Sequence, residues 1–172
     1  MSRSLHLALL IVLAAGCTIE NRPPTRETGP GRGTTEAVAA ARAEAEIRAA
    51  LLRYYADLTA RDWRAFRQNF WPPGLMATVW QPPGRPRPVV EAVPVDTFIA
   101  RAPSGPGSKP IFEERMTGLV VRSHGNLAQA WATYTARFGE PGNVATWEGL
   151  DAFTLLRHEG TWRIVSLSYT DK

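Results

Sequence analysis

The stretch TWEGLDAFTLLR-HEG-TWRIVSLSY (residues 146–169) decides the fold class, because two long runs with β-strand character flank a short turn. The turn His158-Glu159-Gly160 ends the first run and begins the second. The same pattern occurs just upstream, where two further strands and a connecting turn are predicted: 111–122, 127–138 and 124–126. The second half of the chain therefore predicts an antiparallel meander of long strands.

Helices are predicted in the first half of the chain. From Glu36 the composition turns to Ala, Glu and Arg, and apolar residues then recur at helical spacing as far as Leu58. A second, short helix is predicted behind Asp62 as N-cap, with Pro72-Pro73-Gly74 as its stop. Its apolar stripe is Trp63, Phe66 and Phe70.

Short elements are predicted between these two halves. They are a strand at Leu75–Trp80, an edge strand at Val89-Val90 and a third short helix over Pro94–Arg101. Helices followed by a meander of long strands are typical of an α+β domain.

The first seventeen residues have the parts of a secretory signal. Arg3 precedes an apolar run of about nine residues, too short for the roughly 20 that span a bilayer. The string Leu13-Ala14-Ala15-Gly16-Cys17 resembles a bacterial lipobox, in which the cysteine is lipidated and the preceding peptide is removed. We therefore expect a signal peptide at 1–16, lipidated Cys17 and a flexible tether at 17–40, and one domain at 41–172. The alternative is an ordinary secretory signal with an incidental cysteine.

The resemblance to a lipoprotein signal implies a location and a first partner. The partner is the membrane, through the lipid anchor. Thr18 stands where an aspartate would favour the inner membrane, which implies an outer-membrane anchor with the domain in the periplasm. The 172 residues carry a net charge of +4, without a basic cluster interleaved with aromatic residues. Nucleic acid is therefore not an expected partner.

Three segments resemble the nuclear transport factor 2-like (NTF2-like) superfamily, over about residues 40–172. The spacing Ile47-x3-Leu51-x3-Tyr55-x2-Leu58-x3-Asp62 is similar to the first helix running into the capped second helix. Phe66-x3-Phe70 matches the apolar pair of that second helix, and LLRHEGTWRI (155–164) matches the terminal hairpin. The resemblance implies a cystatin-like cone, with N-terminal helices packed on a strongly curved antiparallel sheet. This fold carries isomerases, dehydratases, hydrolases, binding proteins and assembly modules, so it does not give the function.

The ketosteroid isomerases of this fold allow a comparison of site residues. Arg53-Tyr54 matches the arginine–tyrosine pair on their first helix, and Asp151 lies close to the position of a later aspartate. Gln81 falls where their general base stands, and an amide cannot take up a proton near neutral pH. We predict a pocket lined by Tyr54, Trp80, Gln81 and Asp151, and no catalytic set, metal site or cofactor. A shift of one residue in the strand would turn Asp151 to the other face.

The strand 127–138 has two different faces. One carries alanines and Tyr134, and the other carries Trp131 and Arg137. We expect the alanine face to pack under the helices, where large side chains would not fit. Trp131 and Arg137 then lie on the outer face as candidates for a homodimer interface. The opposite assignment would place Trp131 in the pocket.

Three functions remain open at this point. The first is a lipid-anchored domain that binds a small hydrophobic ligand or a protein partner without catalysis. The second is a cyclase-, dehydratase- or isomerase-like enzyme that uses Tyr54 and Asp151 on a hydrophobic molecule. The third is a structural module of an envelope complex. A deep cone in which Tyr54, Gln81 and Asp151 converge would favour the first two, and a filled cone the third.

Overall fold

The structure is a computed structural model that describes residues 30–82 and 84–171. In this part of the chain the elements follow one another as α1 Pro30–Ala60, α2 Trp63–Gln68, β1 Phe70–Trp80, β2 Val89–Pro94, α3 Val95–Arg101, β3 Ile111–His124, β4 Leu127–Glu140, β5 Asn143–His158 and β6 Thr161–Asp171. The proposed signal peptide and Cys17 lie outside the described residues. No helix among the described residues is both long and apolar enough to cross a membrane.

Helix α1 covers the concave side of the sheet with the stripe expected from its spacing. Ile47 and Leu51 are completely buried, and Tyr54, Tyr55 and Leu58 are at most 3% exposed. The helix begins at Pro30, so residues 30–40 of the predicted flexible tether are helical. Alanine and glutamate are abundant only from Glu36 onward, where they favour a helix, and residues 33–42 are exposed.

Helix α2 is shorter than predicted, and strand β1 is longer. Asp62 caps α2 as expected, since its side chain accepts a hydrogen bond from the Ala65 N–H at 3.0 Å. The helix ends at Gln68, and Phe70, which the sequence placed on α2, instead opens β1. Pro72-Pro73 do not stop the strand because they fall in an irregular step of its pairing with β6, between Phe70 and Leu75. Proline is tolerated there because no ladder N–H is required.

The strands form one sheet in the order β2-β1-β6-β5-β4-β3. β3, β4, β5 and β6 make the predicted antiparallel meander, with turns at 125–126 and 159–160. β1 pairs antiparallel with β2 and parallel with β6. The β1–β2 pair therefore forms one edge of the sheet, next to β6. This arrangement of helices and sheet confirms the predicted α+β fold.

The two faces of β4 have the expected environments. Ala128, Ala130, Ala132 and Ala136 are at most 1% exposed and belong to the same core as the apolar stripe of α1. Their small side chains let the helix approach the sheet closely. Trp131, on the opposite face, is 51% exposed.

Candidate functional site

A cavity of about 840 Å³ opens on the concave side of the sheet. Its walls come from α1, α3, the loop after α3 and all six strands. Small-molecule sites usually enclose about 300–1,000 Å³, so the cavity has the size of a ligand site. Aromatic rings make much of the wall: Tyr54, Trp80, Phe98, Phe112, Tyr134, Phe138, Trp147 and Tyr169.

Among the residues that the structure describes, Asp151 is the only acidic or basic residue that is buried, with 3% of its surface exposed. The Tyr55 hydroxyl, on α1, donates a hydrogen bond of 2.5 Å to its Oδ2 atom. Burial of a carboxyl group is unfavourable unless hydrogen bonds replace those lost to water. The bond therefore fixes Asp151 in the wall of the cavity and ties the helix to the sheet.

The strand register explains why Asp151 points inward. Along β5, Gly149, Asp151, Phe153 and Leu155 are buried at every second position. Asp151 pairs with Tyr169 on β6, which in turn pairs with Thr78 on β1. Cross-strand partners share a face, so these residues form a polar row across the cavity wall.

Two neighbouring tyrosines face this row from α1. The pKa of Tyr54 is raised well above its usual value, chiefly by burial and then by the negative charges of Asp151 and Glu114. Burial and the same two carboxyl groups also raise the pKa of Tyr55, and its hydrogen bond to Asp151 adds to the effect. Both hydroxyls therefore keep their protons near neutral pH.

A second polar position lies toward the other end of the cavity. Ala136 on β4 pairs with Glu114 on one side and with Trp147 on the other. The Nε1 atom of Trp147 is buried and has no hydrogen-bond partner within the described residues. Glu114 is held through its backbone, since its N–H donates to Thr59 Oγ1 at 2.9 Å and its carbonyl accepts from the same hydroxyl at 2.9 Å.

The mouth of the cavity is more exposed and carries a salt bridge. Trp80 is 43% exposed, and the Gln81 amide donates to the Arg85 carbonyl oxygen at 2.9 Å. Arg101 of α3 pairs with Glu91 of β2 across the entrance. Arg101 is the only basic side chain among the described residues that line the cavity.

Gly149 is required for the shape of the wall. An added Cβ there would lie 2.2 Å from Cζ and 2.3 Å from the hydroxyl oxygen of Tyr134. The Tyr134 ring thus lies directly over Gly149, its partner on the adjacent strand. Any side chain at 149 would push this ring from its position.

The four pocket residues predicted from the sequence, Tyr54, Trp80, Gln81 and Asp151, all line this one cavity. Their role in binding a ligand stays a prediction. Within residues 30–82 and 84–171, no group of His, Cys, Asp and Glu could hold a metal ion.

Sequence reasoning missed three residues: Tyr55, Glu114 and Trp147. Tyr55 directly follows Tyr54 on α1, and both side chains are buried. The Arg53-Tyr54 pair matched to the ketosteroid isomerases indicated only Tyr54 as a site residue. Glu113 and Glu114 are adjacent on a strand, so their side chains lie on opposite faces, but alternation alone does not say which of the two faces inward.

Trp131 and Arg137, the candidate interface residues, lie on the outer face of the sheet. Arg137 is exposed and lies 3.3 Å from a carboxylate oxygen of Glu113, which also pairs with Arg115 at 2.5 Å. Their role in an interface stays a prediction.

No family model matches the sequence, and no curated protein matches it. Solved structures do resemble the fold. An NTF2-like protein with a cystatin-like fold from Novosphingobium aromaticivorans aligns with a TM-score of 0.61 at 16% identity, over 80% of this chain and 84% of that one. The β subunit of benzoate 1,2-dioxygenase from Burkholderia mallei gives 0.59 at 14% identity, over 74% and 89%.

A third similar structure is a candidate dehydratase of the NTF2-like family from Streptomyces avermitilis. It aligns with a TM-score of 0.58 at 14% identity, over 74% of this chain and 94% of that one. At such low identity these likenesses concern the fold. The cone of helices on a curved sheet is therefore the NTF2-like, cystatin-like fold.

Proposed function

We propose that this domain binds a small, largely apolar molecule that carries a polar group, and that it holds this molecule in the cone without transforming it. The observation that carries the proposal is the cavity of about 840 Å³ with Asp151 in its wall. The Oδ2 atom of Asp151 accepts a hydrogen bond from the buried Tyr55 hydroxyl. Aromatic walls give affinity for an apolar body through burial. A few fixed polar groups give orientation.

The N-terminal sequence adds a location to this proposal. Lipidated Cys17 would anchor the chain in the outer membrane, with the domain in the periplasm. There it would take up its ligand from the periplasm or from the adjacent membrane surface. A protein partner or a second copy could bind the outer sheet face around Trp131 and Arg137, on the side opposite the cavity.

Native mass spectrometry of the full chain, purified gently from its own cell envelope, tests the binding function. We expect a discrete additional mass on the wild-type protein. Val93→Trp should abolish it, because Val93 lines the cavity and a large ring would fill the space. Val90→Trp is the matched control, since Val90 lies on the same strand and is 77% exposed.

A hydrophobic dye gives a second readout that does not depend on copurification. N-phenyl-1-naphthylamine should become fluorescent with the wild type and with Val90→Trp, but not with Val93→Trp. A folded wild-type protein that carries no extra mass and binds no dye would overturn the proposed function.

A catalytic function is the second candidate, and one observation favours it. Asp151, Glu114 and Tyr54 all line one largely apolar cavity, and the Tyr55 hydroxyl donates a hydrogen bond to Asp151 from behind its wall. Carboxyl groups in such surroundings are common general acids and bases. The likeness to a candidate dehydratase is compatible with this alternative.

The two candidate functions predict different bound molecules for a variant whose site is disabled. A binding protein carries the same molecule in the wild type and in Asp151→Asn, at lower occupancy in the variant. An enzyme whose acid or base is removed retains its substrate, so the variant would carry a different mass from the wild type. That difference would favour catalysis over simple binding.

A further inference from the structure

We infer that the loop end of the β1–β2 hairpin docks on an anionic phospholipid bilayer and brings the mouth of the cavity against the membrane surface. We call this surface the hairpin tip, and it consists of Val79, Trp80, Arg85, Arg87, Val89 and Val90. The docking follows from the surface of the hairpin alone. Passage of a ligand between the bilayer and the cavity rests, in addition, on the proposed binding function.

The hairpin tip exposes apolar side chains on both of its faces. Val79 pairs with Val90 across the two strands, and these residues are 63% and 77% exposed. Trp80 pairs with Val89 one position further along, and these residues are 43% and 39% exposed. Successive side chains of a strand point to opposite faces, so the two pairs lie on opposite sides of the hairpin. A flat protein partner covers one such face, whereas the interfacial layer of a bilayer surrounds both.

The position of β2 in the sheet makes this exposure unusual. β2 is an edge strand, and the edge strands of water-soluble domains commonly carry charged side chains that prevent unwanted pairing. β2 instead begins with two exposed valines, and the first charged residue on it, Glu91, pairs with Arg101. Contiguous exposed apolar residues of this kind mark sites of contact with proteins or membranes.

Two arginines give the hairpin tip a positive charge. Arg85 and Arg87 are the only charged residues between positions 79 and 90 of the sequence. Both are exposed, and neither side chain makes an ion pair within residues 30–82 and 84–171. Basic residues beside a membrane are attracted by anionic headgroups, and tryptophan is enriched at the depth of those headgroups. The charge and the apolar side chains of the tip therefore both match an anionic bilayer.

The outer face of the sheet fits a bilayer less well, although it also exposes apolar side chains. Val120 is 62% exposed and Trp131 is 51% exposed. On that face, however, Glu113 forms salt bridges with both Arg115 and Arg137, so an acid already compensates these arginines. The outer face also lies on the side opposite the cavity.

The location of the hairpin tip gives the docking a consequence for the cavity. Trp80 and its neighbour Gln81 line the cavity at its mouth. A domain docked through the tip presents this mouth to the bilayer. An apolar ligand then moves between the acyl layer and the aromatic walls without exposing its surface to water, which is unfavourable.

A fluorophore at the hairpin tip tests the docking on the full chain. Cys17 is the only cysteine, so Cys17→Ser/Val90→Cys can be labelled at one position with the environment-sensitive fluorophore NBD. With excess vesicles of phosphatidylcholine and phosphatidylglycerol, we expect its emission to shift to the blue and to be quenched by doxyl groups on the acyl chains. Cys17→Ser/Val120→Cys is the matched control, because position 120 is similarly exposed on the outer face and should show neither change.

Charge variants of the labelled chain test the role of the arginines. Arg85→Gln together with Arg87→Gln should reduce the quenched fraction at position 90 several-fold, and added salt should reduce it as well. Arg64→Gln together with Arg122→Gln is the control, because these arginines are exposed on α2 and β3 and should leave the quenching unchanged. All four positions are exposed, so the substitutions do not disturb the core.

The outcomes separate the docking from the binding function. The inference is wrong if the fluorophore at position 90 is neither shifted nor quenched, or if the one at position 120 is quenched instead. Equal quenching on phosphatidylcholine alone would overturn the anionic surface. Binding of N-phenyl-1-naphthylamine without vesicles reports on the cavity separately. Dye binding without quenching would overturn the docking and leave the binding function in place, and quenching without dye binding would do the reverse.

Discussion

Replacement of Tyr55 by phenylalanine removes one hydroxyl from the interior and should destabilise the domain by about 2 kcal/mol. The hydroxyl donates to Asp151 at 2.5 Å, and each residue is only 3% exposed, so water cannot replace the lost bond readily. Bonds to charged groups contribute roughly 1.5–3 kcal/mol, and burial places this one near the middle of that range or above. For a domain of this size, about 2 kcal/mol corresponds to a fall in Tm of roughly 7 °C.

A double-mutant cycle isolates the contribution of the bond. The free energy of unfolding is measured by urea denaturation for the wild type, Tyr55→Phe, Asp151→Ala and the double variant. We expect a coupling energy of about 1.5 kcal/mol. Tyr54→Phe is the control, because it removes a hydroxyl of similar burial from the adjacent helix position and should cost less than about 1 kcal/mol. A coupling energy below about 0.5 kcal/mol, or equal losses in the two tyrosine variants, would refute the assigned role of the pair.

Three further predictions concern packing, pH and the outer face. Gly149→Ala should lower the free energy of unfolding, measured by urea denaturation, by about 1–3 kcal/mol and should weaken dye binding, because the added Cβ would lie 2.2 Å from Cζ of Tyr134. An unchanged free energy of unfolding together with unchanged dye binding would contradict the packing described. The raised pKa values of Tyr54 and Tyr55 favour the protonated hydroxyls in the folded state, so stability should be constant below the ordinary pKa of 10.0 and fall as pH rises above it. Denaturation at pH 8 to 11.5 checks this, and the double Phe variant should show a shallower fall. Trp131→Ala should change the free energy of unfolding by less than about 1 kcal/mol, because the ring is 51% exposed. The same variant should dissociate any homodimer that the wild type forms in analytical sedimentation. A dimer that stays intact would place the interface elsewhere.

The sequence predicted the meander well because its strands alternate strongly and end at clear turns. It failed at Phe70, where helical spacing from Phe66 and a following Pro-Pro pair both suggested the end of a helix. Only the pairing with β6 shows that the prolines sit where the ladder is interrupted. That information belongs to a strand far along the chain and is invisible in a local pattern.

The site was predicted less completely than the fold. Alternation places Glu113 and Glu114 on opposite faces of a strand, but which of them faces inward depends on how the whole sheet curves over α1. Tyr54 and Tyr55 are both buried, and their difference lies in which hydroxyl reaches Asp151. Such a contact between residues distant in sequence requires the three-dimensional register.

Strand β6 lies between β1 and β5, although it is made long after β1. Until residues 161–171 have left the ribosome, the β1–β2 hairpin has no sheet to join, and β5 has an open edge. Closing so long a loop is entropically costly and slows folding. The sheet therefore stays incomplete until β6 has been made, a property that suits a protein proposed to cross a membrane before it folds.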